Sequence, residues 1–174
     1  MANFDRIIPM LLAAEGGAKI TEDPADPGGL TKYGISQRAY PNQNIRDLTE
    51  ERAKELYKRD YWDKVNGDLI PDDRLAYFVL DMAVNMGVGV ACHELQAAIN
   101  RLSESGKKIA EDGRIGGETL RALNLILPGG PAAVLRSMLR ARIERYGRIV
   151  AGKPTSAKYL LGWIRRSFDV AGIV

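Results

Sequence analysis

Residues 15–36 read EGGAKITEDPADPGGLTKYGIS. The stretch opens on a carboxylate, runs through paired glycines and two Asp-Pro steps, and closes on Leu-Thr-Lys-Tyr-Gly-Ile, so it joins a helix end to a short β element. Ahead of it, Phe4, Ile7, Ile8, Leu11 and Leu12 recur at the three- and four-residue spacing of one apolar helical stripe. At about 100° per residue Glu15 returns to that stripe, which predicts an inward-facing carboxyl in the last helical turn. Gly16 and Gly17 supply the stop, because glycine takes the left-handed conformation of a C-terminal cap without a Cβ clash.

Partial burial and the negative end of the helix dipole both disfavour a carboxylate there, and the sequence predicts a Glu15 held as the neutral acid. Such a group is the general acid of glycoside hydrolysis, in which the leaving sugar oxygen must receive a proton as its bond breaks. The bland alternative is a solvated glutamate at a frayed helix end.

The segment that follows offers two more carboxylates. Asp23-Pro24, Asp26-Pro27 and Gly28-Gly29 are turn formers, and residues 30–35 carry the β-branched and aromatic content of a short strand or hairpin. A β element beside the helix end could bring Asp26, or Asp23, to the opposite face of a bound sugar. Equally, each aspartate could cap its own turn. Thr31 and Tyr33 lie two apart, which predicts that they share a strand face, where hydroxyl and ring either hold a sugar or pack.

These residues carry a resemblance. EGG followed by DPxDPGGxTKYGIS is similar to the signature of glycoside hydrolase family 108, the lysozyme-like N-acetylmuramidases of phage endolysins and bacterial genomes. The likeness continues through Leu48-Thr49-Glu50-Glu51, Tyr57, Tyr61, Trp62, Asp81-Met82-Ala83-Val84-Asn85-Met86-Gly87, Leu95-Gln96-Ala97-Ala98, and Asp112-Gly113 with Gly116 and Thr119. It ends in Gly162-Trp163 and Arg165. The resemblance implies Glu15 as catalytic acid, with Asp26 the leading candidate for the opposing carboxylate. Asp23, Thr31, Tyr33, Tyr61 and Asn85 are substrate-binding candidates, although Asn85 has an alternative as an amide tying helix to loop. Family members commonly place an aromatic after EGG, where Ala18 stands here.

The implied fold is mainly α, an α+β lysozyme-like helical bundle with a small β element after the first helix. Residues 1–70 form its catalytic part and 71–174 a helical peptidoglycan-binding part, the two packed as one compact unit. The implied reaction is hydrolysis of the β-1,4 bond between N-acetylmuramic acid and N-acetylglucosamine, with peptidoglycan as partner. The rival reading is a non-catalytic wall-binding protein.

Composition agrees with a globular chain of 174 residues: 45% hydrophobic, 27% charged. One cysteine, Cys92, excludes an internal disulfide, and one histidine, His93, without ligand-spaced cysteines argues against zinc. No phosphate-binding glycine pattern or nucleophile elbow is present, and no cofactor or metal is expected. A lone histidine also leaves Ser-His-Asp schemes without support. No apolar run approaches the roughly 20 residues of a membrane span, and Asp5 and Pro9 argue against reading the N-terminus as a signal peptide. The expectation is a monomer made in the cytoplasm, without stable membrane insertion, which reaches the wall by holin-dependent release or another export route.

From residue 136 onward nine basic residues, Arg136, Arg140, Arg142, Arg145, Arg148, Lys153, Lys158, Arg165 and Arg166, face only Glu144 and Asp169, whereas the whole chain is +3. Such a face suits an anionic wall polymer or is simply solvated. Nucleic acid is the rival polyanion, but it leaves the EGG segment unexplained, and no nucleic-acid partner is expected.

The remainder reads as helices. Asp47 with Glu50 resembles a capping box for a helix running to about Gly67. Pro71-Asp72 opens a helix with Leu75, Val79, Met82, Ala83 and Met86 inward, and Gly87 and Gly89 break it before Val90–Leu102. Thr119–Leu127, a long helix through Leu135, Met138, Leu139, Tyr146, Ile149 and Val150, and a last helix with a core stripe of Leu160, Trp163, Ile164, Phe168 and Ala171 complete it.

Overall fold

A computed structural model describes residues 1–22, 29–104 and 106–172. The first helix, α1 (Phe4–Ala14), begins where the Asn3 side chain accepts from Arg6 N at 3.1 Å. It buries Phe4, Ile7, Ile8, Leu11 and Leu12, the stripe read from the sequence. Its end is a Schellman motif: Gly17 N donates to Leu12 O at 2.8 Å and Gly16 N to Ala13 O at 3.1 Å. Both glycines have positive φ, +90° and +59°, and Glu15 sits at the cap between helix and loop.

The β element is a hairpin of β1 (Thr31–Lys32) and β2 (Ile35–Ser36), in the register Thr31↔Ser36 and Lys32↔Ile35. Thr21 adds a single antiparallel bridge to Thr31. Tyr33 and Gly34 form the two-residue turn with φ of +54° and +74°, the primed geometry that matches strand twist. This overturns the expectation that Thr31 and Tyr33 share a face. The strand alternation stops at Lys32, the Tyr33 ring enters the core, and the Thr31 hydroxyl donates to Gly29 O at 3.1 Å.

Helix α2 (Glu50–Tyr57) is capped by Thr49, whose hydroxyl accepts from Arg52 N at 3.2 Å, rather than by Asp47, which instead accepts from the Asn44 amide. It widens into a π turn over Lys58–Trp62 and stops there, short of Gly67. The π turn swings Trp62 fully inside, where its indole donates to Asp68 at 2.9 Å. Gly67 must lack a side chain because a Cβ would lie 2.3 Å from that indole.

Helix α3 (Asp73–Met86) starts at Asp72, which accepts from Leu75 N at 3.0 Å, and ends at Gly87 with φ +97°. Asn3 N donates to Asp73 at 3.0 Å and Ala2 N to Ile70 O at 2.8 Å, so the N-terminus is pinned to the start of α3. Helix α4 (Val88–Leu102) follows after this single residue and takes Gly89 into its first turn. Gln96 of α4 clamps the Asp112-Gly113 turn, donating to Asp112 at 2.8 Å and accepting from Gly113 N at 2.9 Å.

Helices α5 (Gly117–Ile126), α6 (Ala132–Gly152) and α7 (Ala157–Ala171) close the bundle. One apolar cluster runs from Ala2 and Phe4 through α3 and α4 to Val170 and Ala171, so residues on both sides of position 70 share a core. The fold is mainly α and lysozyme-like, seven helices with one two-stranded hairpin among the described residues.

Two sequence expectations for the C-terminal helices fail. The α7 stripe is only partly a core stripe: Val170, Ala171 and Ser167 are buried, while Phe168 is 38% exposed. Ile149 is also 38% exposed, because α6 runs past the helices it packs on. The nine basic residues do not form one solvated face. Arg142 is completely buried and Arg166 largely so, since each answers an inward-facing carboxylate.

Candidate active site

Glu15 leaves the end of α1 with its side chain only 17% exposed. Its Oε1 accepts from Arg166 Nη2, delivered by α7 from the far end of the chain. The same guanidinium donates through Nε to Asp81 Oδ1 at 2.9 Å and through Nη1 to Ala14 O at 3.4 Å, an orphan carbonyl of the α1 terminus. The second oxygen of Asp81 accepts from Arg142 Nη1 at 2.6 Å, in a pair with no exposure on either side. Arg142 Nε then donates to the Tyr146 hydroxyl at 2.9 Å, and its guanidinium lies 5.5 Å from the Phe78 ring centroid. Carboxyl and guanidinium groups thus alternate from α1 to the interior in the order Glu15, Arg166, Asp81, Arg142.

Pairing with Asp81 makes the burial of both guanidiniums tolerable, because an isolated charge in the interior costs several kcal/mol. Burial alone pulls the Arg166 guanidinium down, but Asp81 and then Glu15 outweigh it and hold it above its ordinary value.

The other side of Glu15 is the hairpin turn. A Cβ on Gly34 would lie 2.7 Å from Glu15 Oε2 and 2.7 Å from the Tyr57 hydroxyl, so only glycine fits between them. Tyr33 is held in its left-handed conformation by two bonds, its N donating to Gly17 O at 3.0 Å and its O accepting from the Tyr57 hydroxyl at 2.8 Å. Burial first, and then the Glu15 carboxylate, pushes the Tyr57 hydroxyl well above its usual range. Tyr77 is pushed up to about 12, by burial and then by Asp81, with Glu15 adding to it. Tyr61 is raised by burial, by Asp60 and by Glu15, and its ring packs 5.8 Å from that of Tyr57.

The predicted site residues therefore separate. Glu15 and Tyr61 come together at the end of α1. Tyr33 reaches the site through its backbone, with its ring 9% exposed in the core. Asn85 is exposed and donates to Asp81 O at 2.8 Å, one turn back on its own helix, so it does not tie that helix to a loop. Asp23 and Asp26 lie outside the described residues. Of the described carboxylates, Asp81 comes nearest to Glu15 through the shared guanidinium, but both its oxygens are engaged by arginines.

Sequence reasoning missed Asp81, Arg142, Arg166, Tyr57 and Tyr77 as parts of this site. A signal existed for Arg142: with Leu135, Met138, Leu139 and Tyr146 it falls on the apolar stripe of α6. A cation placed on a buried stripe calls for a buried carboxylate.

Away from this site, a cavity of about 660 Å³ lies between the end of α4 and α5, lined by Ile99, Leu102, Ile109, Ala122 and Leu125 among others. It shares no lining residue with the Glu15 surroundings. Among the described residues no group of three or more His, Cys, Asp or Glu side chains is placed to hold a metal ion, and no single helix is long and apolar enough to cross a membrane.

Residues 8–87 match the family model described as glycosyl hydrolase 108, and residues 90–168 match the one described as a predicted peptidoglycan domain. The two matches meet at the Gly87 break between α3 and α4. Glu15 and Asp81 fall in the first, Arg142 and Arg166 in the second. Among solved structures the chain is similar to one titled as that of Brucella abortus SagA, at 26% identity and a TM-score of 0.76, covering 97% of this chain and 91% of that one. No curated protein matches the sequence. A glycosyl hydrolase 108 region followed directly by a peptidoglycan domain accounts for nearly all of the chain, and the pair supports a glycoside hydrolase acting on peptidoglycan.

Proposed function

We propose that the protein is an N-acetylmuramidase of endolysin type, cleaving the β-1,4 bond between N-acetylmuramic acid and N-acetylglucosamine, with Glu15 as general acid. The observation that carries this reading is the seat of Glu15. Its carboxyl is mostly buried at a helix end, with one oxygen held by Arg166 and the other against Gly34 of the hairpin turn, where no side chain crowds it.

In this mechanism Oε2 delivers the proton to the glycosidic oxygen as the bond to the anomeric carbon breaks. Donation leaves Glu15 negatively charged. Arg166, already in contact, stabilises that charge as it develops without reorganising, and Asp81 and Arg142 fix the guanidinium in place. The raised Tyr57 hydroxyl remains protonated and keeps the turn closed on the acid.

Asp26 is the leading candidate for the opposing carboxylate and Asp23 its alternative, acting on the far face of the sugar as base or stabiliser. Tyr61 edges the sugar beside Glu15. The basic residues that remain at the surface after residue 136, Arg136 and Arg165 among them, favour the anionic wall over an uncharged glycan. Synthesis in the cytoplasm and holin-dependent or other release complete the reading.

Mass spectrometry of murein digested by the protein and by Glu15→Gln tests it. Wild type releases fragments with reducing N-acetylmuramic acid ends, and the variant loses turnover by orders of magnitude while still pelleting with murein. Undiminished turnover in Glu15→Gln overturns the assignment of the acid. Pelleting with no soluble reducing ends from wild type favours the wall-binding protein instead.

A further inference from the structure

Helix α7 carries a feature that the Glu15 site leaves unused. Tyr159, Trp163 and Arg166 recur at four- and three-residue spacing and so share one stripe of the helix, and Arg166 at its end touches Glu15. Trp163 stacks on Tyr146 with ring centroids 5.0 Å apart, and Tyr159 on Trp163 at 5.9 Å, with interplanar angles of 25° and 28°. The inner ring is anchored, since Tyr146 is buried and its hydroxyl accepts from Arg142. The outer ring stands open, with Tyr159 52% exposed. A file of aromatic rings therefore leads from the buried ion network to solvent on the stripe that reaches the acid.

We propose that Tyr159, backed by Trp163, forms a glycan-stacking subsite for the N-acetylated amino sugars of the murein strand, occupied by the same strand that lies across Glu15. The identity of the polymer rests on the muramidase reading. Position supports the subsite: Tyr159 and Arg166 are separated by about 10 Å along the helix axis, the order of a disaccharide. Chemistry supports it as well, because the apolar face of a pyranose ring packs on an aromatic face while its hydroxyls stay wet. Charge supplies the third argument. Lys158 Nζ lies 4.9 Å from the Tyr159 ring centroid and Arg165 is exposed on the same helix, cations suited to the lactyl and peptide carboxylates that hang from muramic acid.

A lipid surface fits α7 less well. Leu161, 58% exposed, and Phe168, 38% exposed, project about half a turn away from the Tyr159–Trp163 stripe. The aromatic stripe and the exposed apolar groups thus lie on opposite sides of the helix.

The chain holds two tryptophans, and Trp62 is fully buried and bonded to Asp68. Tryptophan emission on sugar binding thus reports on Trp163. The experiment titrates full-length Glu15→Gln protein, in which cleavage plays no part, with β-1,4-linked N-acetylglucosamine oligomers and separately with anionic lipid vesicles. The expected result is a saturable emission change with the oligomers, lost when Trp163→Phe is added. Alongside it, Tyr159→Ser in the active protein raises KM on murein about fivefold, the loss of one ring's stacking, with little change in kcat.

No emission change together with a wild-type KM in Tyr159→Ser overturns the subsite. So does an emission change that survives Trp163→Phe, or one produced by vesicles alone, which would make α7 a membrane-facing helix. Failure of the muramidase reading has a different signature, oligomer binding that persists while murein digests contain no reducing N-acetylmuramic acid ends.

Discussion

Arg166 grips the carboxyl of Glu15 across 151 residues of sequence. The bond joins the glycosyl hydrolase segment to the peptidoglycan domain at the carboxyl proposed as the general acid, so the C-terminal region helps to wall the candidate site. Asp81 makes this possible, because it fixes the guanidinium whether or not Glu15 is charged.

Arg166 therefore controls turnover more than substrate binding. Arg166→Met is expected to lower kcat at least tenfold, about 1.4 kcal/mol of lost transition-state stabilisation, while pelleting with murein persists. Arg166→Lys restores part of the loss, because a point charge replaces a fork that reaches two carboxylates. Steady-state kinetics on both variants checks this, and a wild-type kcat in Arg166→Met would remove the residue from the mechanism.

Asp81→Asn tests the interior of the network. The substitution leaves Arg142 buried without a countercharge, in a setting where one guanidinium nitrogen already lacks a partner among the described residues. Loss of one partner of a buried pair costs about 3–5 kcal/mol, read as a fall in the urea midpoint with an unchanged slope. A double variant, Asp81→Asn with Arg142→Met, should recover part of that loss.

Gly34→Ala separates activity from folding. Its Cβ would stand 2.7 Å from Glu15 Oε2 at a φ of +74°, so the acid must move aside. The backbone cost is about 1 kcal/mol, too small to unfold the chain, whereas displacement of the acid should cost about 100-fold in turnover. Thermal melting and murein lysis measured on one preparation distinguish the two effects.

Alkaline stability follows from the tyrosines around the acid. Burial, then Asp81, raises Tyr77 from 10.0 to about 12 in the folded protein. The unfolded chain ionises first, so the stability this group contributes is intact below pH 10 and is lost as pH rises from about 10 through about 12. Melting temperature should decline across that window, and Tyr77→Phe should flatten the decline. An identical pH profile for the variant would show that Tyr77 does not carry it.

What could be read from the chain was what neighbouring residues decide. The α1 stripe, the glycine stop and the inward phase of Glu15 all lie within three turns of one helix, and the structure keeps each of them. Errors of local reading were equally local. The alternation of Thr31 and Tyr33 suggests a strand through Tyr33-Gly34, although an X-Gly pair between two short β segments is the signature of a primed turn, and the Asp47-Glu50 spacing suggests a capping box where Thr49, adjoining the helix, is the cap.

The sequence by itself determined the helical class, the position of the acid at a helix end and the resemblance to glycoside hydrolase family 108, because periodicity, caps and motifs are properties of short stretches. Only the tertiary structure decided that Arg166 and Asp81 surround that acid and that Arg142 leaves the basic face for the core. Charge pairing in the interior is settled by which helices pack together, and residues 61 and 151 positions apart meet through packing that no local pattern encodes.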